Sequence, residues 1–92
     1  MEIDTKNLIK DITLLEELLN KYEDNNSEVF NELYKIREYY TGEDATYLNN
    51  KINTENNNYL ILLDTLKKIS SFYKDVYNLY DNISITREDK NA

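Results

Sequence analysis

Ninety-two residues suffice for one small domain. The chain has 11 basic and 18 acidic residues, and its formal charge of −7 repels phosphate backbones and anionic headgroups, which argues against nucleic acid or a membrane surface as partner. Histidine, cysteine and proline are absent and there is one glycine, so imidazole, thiolate and disulfide chemistry are excluded and helix breakers are nearly missing.

In chain order, Met1-Glu2-Ile3-Asp4 is acidic and lacks the cationic and apolar regions of a cleavable signal peptide, so any export is expected to use a route that does not read one. Leu8, Ile12, Leu15, Leu19 and Tyr22 then recur in steps of four and three, and the series continues through Asn26 to Val29, Leu33, Ile36 and Tyr40. A loop at Glu23-Asp24-Asn25-Asn26-Ser27 would reset that phase. The spacing therefore predicts one helix over about 4–40, with a bend admitted near Asn26.

The turn follows at 41–43. Gly42 suits the left-handed position that ends a helix, Thr41 can cap the next one, and Glu43 and Asp44 put negative charge where the second helix dipole favours it. The second helix, over about 44–83, has the seam Ala45, Leu48, Ile52, Glu55, Tyr59, Leu62, Leu66, Ile69, Tyr73, Val76, Tyr80 and Ile83. A polar, flexible tail is expected at 86–92. The fold class is all-α: an antiparallel two-helix hairpin formed by residues 1–85. In that register Asn26 falls opposite Glu55, Asn57 and Asn58, which predicts a hydrated, loosely packed waist. No apolar run nears the roughly 18 residues of a bilayer span, the longest being Tyr59–Leu63, so membrane insertion is not expected.

Apolar residues also lie off the two seams. Leu14, Leu18, Phe30 and Tyr34 do so in the first helix, and Leu60, Leu63, Phe72 and Leu79 in the second. A lone hairpin has nothing to cover this stripe. A homodimer or heterodimer with a related hairpin, closing a four-helix bundle, would cover it, so these eight residues are the expected partner interface.

Catalysis finds no machinery. Ser27, Ser70, Ser71 and Ser84 have no imidazole to activate them, and the Glu-x-x-His pattern of di-metal bundles cannot be written here. Asp24, Asn26 and Glu28 superficially resemble the start of a calcium loop, but its glycine is missing and the segment is in helical phase. No enzyme activity, cofactor or metal is expected.

Tyr40-Thr41-Gly42 at the turn, the following Glu43-Asp44-Ala45-Thr46-Tyr47-Leu48, and Tyr77-Asn78-Leu79-Tyr80-Asp81 near the C-terminus carry a resemblance. The chain resembles the small helical hairpins of type VII (ESX-like) secretion systems, which have Trp-x-Gly in the turn and Tyr-x-x-x-Asp/Glu late in the second helix. Tyrosine here replaces the tryptophan, and Tyr-x-x-x-acid also occurs at Tyr34–Glu38, Tyr39–Glu43 and Tyr40–Asp44. The resemblance implies a turn motif of Tyr40 and Gly42 and an export signal of Tyr77 and Asp81, read together by the system's export ATPase. It also implies secretion without a cleavable signal peptide, either as a substrate or as an adaptor for the helical leader of a larger toxin. Read without the resemblance, Tyr40 closes the seam, Gly42 ends a helix, Tyr77 packs on a partner and Asp81 is a solvated carboxylate. The chain would then be a cytosolic helical interaction protein of the antitoxin or phage coiled-coil kind.

Overall fold

The computed structural model describes the backbone of residues 4–91 and the side chains of residues 4–81. Two helices account for it, α1 over Thr5–Arg37 and α2 over Gly42–Asn91. They lie antiparallel as a hairpin 75 Å long and 16 Å across. The radius of gyration is 21.1 Å, against about 12 Å for a compact domain of this length.

Asp4 starts α1: its carboxylate accepts the Asn7 amide at 3.1 Å, satisfying one of the free N–H groups of the first turn. The helix ends at Arg37, three residues before the predicted end, because its last turn tightens. Glu38, Tyr39 and Tyr40 donate to the carbonyls of Lys35, Ile36 and Arg37 at 3.0–3.2 Å, each spanning three residues in place of four. Lys35 and Arg37 put positive charge against the helix C-terminus. The connection is thus 38–41, and Gly42 follows at φ +66°, in the left-handed region expected of it.

α2 runs 50 residues where about 40 were expected. No proline or glycine follows Gly42, so nothing in the sequence breaks the helix before Asn91. The segment expected to be a polar tail is therefore helical through Asn91; Ala92 lies outside the described residues, as do Met1 to Ile3 and the side chains of Ile83 and Ser84. At ~1.5 Å per residue α2 is about 75 Å long and α1 about 50 Å, so the C-terminal part of α2 runs past the start of α1.

The packing seam is rotated from its predicted position. In α1 the inward row follows Leu8, Ile12, Leu15, Leu19 and Tyr22 as expected, then passes to Phe30, Tyr34 and Arg37. Val29, Leu33, Ile36 and Tyr40 are left 39–53% exposed. A strict 3.5-residue repeat drifts by ~20° per heptad on a straight helix, and over five heptads that drift carries the predicted row off the interface. In α2 Ala45, Ile52, Tyr59 and Leu66 face inward as predicted. Leu48, Val76 and Tyr80 are half-buried as predicted too, but Asn49, Asn56, Leu63, Ser70 and Tyr77 join the inward row, while Glu55, Leu62 and Ile69, each one residue before an inward one, are exposed. Leu63 is among the best-buried side chains of the hairpin at 3% exposure, whereas Leu62 and Ile69 are nearly half exposed.

The predicted polar waist is absent. Tyr22 and Phe30, four residues to either side of Asn26, each bring a ring to 5.6 Å from the ring of buried Tyr59. Asn26 satisfies itself on its own helix, donating to the Tyr22 carbonyl at 2.7 Å. Glu55, Asn57 and Asn58 are exposed, because the one-residue rotation of α2 turns them outward.

Candidate functional site

The rotation gives the hairpin two unlike sides. On one, Glu23 accepts both its carboxylate hydrogen bonds from Lys67 at 3.0 and 3.1 Å, and Glu16 pairs with Lys74 at 3.5 Å. The Tyr34 hydroxyl donates to Asn53 on the same side. A shallow groove here is lined by Glu16, Leu19, Asn20, Lys67, Ser70, Ser71 and Lys74. Its two lysines already have carboxylate partners, so the groove has no free cationic group of its own to offer an anion.

The other side is apolar. From α1 come Leu14, Leu18, Val29, Leu33 and Ile36; from α2 come Leu62, Ile69, Phe72 and Tyr73. In each helix this row lies about 100° from the inward row in the same rotational sense, with Phe72 further round at about 150°, which in an antiparallel pair brings both rows to one side. A groove on this side is lined by Leu8, Asp11, Ile12 and Leu15 of α1 and Tyr73 of α2. The nine side chains are 39–63% exposed. At roughly 80 Å² each they present about 700 Å², beyond the largest patch of a typical monomer and close to the ~800 Å² that one partner contributes to a standard interface.

The expected interface residues divide between these sides. Leu14 and Leu18 (both 51% exposed) lie on the apolar side with Phe72 (63%), and Leu79 continues Phe72's row seven residues on at 59%. Phe30, Tyr34 and Leu63 are corrections: they pack within the hairpin, Phe30 on Tyr59 and Tyr34 on Asn53, because the inward rows drifted onto them. Leu60 is exposed, but its row runs through Asn53, Asp64 and Lys67 on the ion-paired side. Sequence counting missed Val29, Leu33, Ile36, Leu62, Ile69 and Tyr73 as surface residues by assigning them to the seam. The available signal was the width of each apolar arc, broader than one neighbour needs.

Of the motif residues, Tyr40 is 48% exposed beside the turn, with the more exposed Tyr39 before it. Tyr77 and Asp81 are both half-buried on the inward row of α2, at the end where α1 begins. Turn and signal thus stand at opposite ends of one hairpin, about 50 Å apart. Tyr59 has its phenol pKa raised by burial, with the nearby Glu23 carboxylate adding to the effect. Among the described residues no helix is long and apolar enough to cross a membrane, and no group of three or more carboxylates could hold a metal ion.

The chain matches no family model, no curated protein and no solved structure.

Proposed function

We propose that this chain works by helix-face pairing, as a small secreted substrate or adaptor of a type VII (ESX-like) secretion system. The observation that carries the pairing is the contrast between the sides. One is closed by ion pairs between the helices, and the other leaves nine large apolar residues facing water. An apolar arc wide enough for two neighbours, of which the hairpin supplies one, is what each helix of a four-helix bundle needs. The missing neighbours would come from a second hairpin or from the helical leader of a larger toxin.

The export half of the reading rests on Tyr40-Thr41-Gly42 and on Tyr77 with Asp81. These stand at opposite ends of one hairpin, so a surface uniting them would need two hairpins in opposite directions, with an export ATPase reading the pair. In cells that produce the protein, Tyr77→Ala and Asp81→Ala should each abolish its appearance outside the cell while cytoplasmic levels and helicity stay unchanged. Undiminished secretion of both variants, or no secretion of the parent chain, rejects the export reading.

A further inference from the structure

We infer that Gly42 is a hinge through which the chain opens into one continuous helix and exchanges α1 with a second copy. The inference stands apart from the export reading, and it uses the contacts between α1 and α2 in place of the open apolar side. The reversal of the chain rests on very little. Glu38 keeps right-handed helical angles at φ −61° and ψ −20°, and the hydrogen bonds of Tyr39 and Tyr40 carry a tightened helix as far as Tyr40. Gly42 begins α2, so Thr41 and Gly42 are all that separate two helical segments. Among the described residues Gly42 alone has a positive φ, and a Cβ added there would meet nothing within 4 Å. One backbone angle turns the chain, not a packed loop.

The inward rows keep their phase across that turn. Phe30, Tyr34 and Arg37 in α1, then Thr41, then Ala45, Leu48 and Ile52 in α2, follow steps of three and four residues. Tyr34 and Ala45 are 11 residues apart, as are Arg37 and Leu48, which on a continuous helix is the same face to within ~20°. A reversing loop has no need of such continuity, whereas a straight helix laid against an antiparallel second copy requires it. In that pair the contacts of α1 with α2 are remade between copies, so opening forfeits none of them. Opening also begins where the hairpin is weakest. Among the described residues Ile52 is the one buried apolar side chain on the turn side of Tyr59, Asn49 and Asn56 take inward positions there, and the Nε of Arg37 is buried without a partner.

The test puts a donor and an acceptor dye on Asn20→Cys and Ser71→Cys, exposed positions lining the same groove of the hairpin. In the closed hairpin the dyes lie within ~25 Å and transfer energy efficiently, whereas along one continuous helix they stand about 75 Å apart and do not. Labelled chain refolded alone at nanomolar concentration should show high transfer. Refolded with millimolar unlabelled chain, a fraction should pass to low transfer and sediment at twice 11.0 kDa. Gly42→Ala disfavours the left-handed angle and favours helix, so it should raise the exchange constant about 100-fold or more, both hinges of the pair counted. Asn50→Ala makes a comparable gain in helix propensity at an exposed site of α2 and should change exchange little. High transfer from the parent even at millimolar concentration, low transfer at the mass of one chain, or an equal effect of Asn50→Ala overturns the inference. A pair of twice the mass that keeps high transfer overturns it too, because closed hairpins are then associating without exchange. None of these outcomes bears on secretion, which the Tyr77 and Asp81 variants decide separately.

Discussion

Tyr59 shows how one side chain sets the packing at the middle of the hairpin. Its ring lies between Tyr22 and Phe30, and its hydroxyl reaches the Glu23 carbonyl only at 3.5 Å. So long a bond adds little, and Tyr59→Phe should cost less than about 1 kcal/mol at pH 7. The phenol is different at high pH. Burial raises its pKa above 10 in the folded chain, so the neutral form is the one that folds. Stability from this group is complete below about pH 10 and is lost as pH rises through the raised value, because the unfolded chain ionises first. Urea titrations at pH 7 and pH 11 should therefore show a smaller alkaline loss for Tyr59→Phe than for the parent, the other eight tyrosines being common to both. Equal losses would mean that Tyr59 is solvated.

At the scale of the element, the interruption at Asn26 is local to α1. Its side-chain amide is satisfied four residues back, and the aromatic trio closes the level at which two polar gaps were expected to meet. Asn26→Ala removes that bond, which competes weakly with the helix, and supplies a better helix former by about 0.5 kcal/mol. The melting temperature should hold or rise slightly, and the amides from Tyr22 to Phe30 should exchange no faster than the rest of α1. A loss above ~1 kcal/mol would restore the hydrated waist. The ion pairs Lys67–Glu23 and Lys74–Glu16 are 40–53% exposed, so their part is to mark which side stays polar and not to hold the helices together.

The whole molecule is thin. Among the described residues, a rod 75 by 16 Å keeps five apolar side chains buried and none completely, Ile12 and Leu63 at 3% exposure being the nearest. A partner laid on the open side would add to the cooperativity of so thin a molecule. For a self-pairing chain the melting temperature should climb with protein concentration by mass action. Added salt should raise it further, because each copy brings a charge of −7 to the other. A melting temperature constant from micromolar to millimolar would contradict pairing of copies.

The sequence by itself determined the helices, their number and their turn. Steps of three and four residues persist on both sides of a single glycine, no residue elsewhere breaks a helix, and Gly42 takes the left-handed conformation that reverses the chain. It also placed Leu14, Leu18, Phe72 and Leu79 outside the seam, where they are. Only the tertiary structure decided which half of each apolar arc turns inward. Counting heptads finds the centre of an arc, but an arc broad enough for two neighbours has no preferred half until another helix is laid against it. That choice took Phe30, Tyr34 and Leu63 into the hairpin and left Leu33, Ile36, Leu62 and Ile69 outside. The physical reason differs by helix: along α1 the mismatch between a 3.5-residue pattern and a 3.6-residue helix accumulates beyond what a short window of sequence can register, whereas in α2 a constant one-residue offset is set by packing against α1.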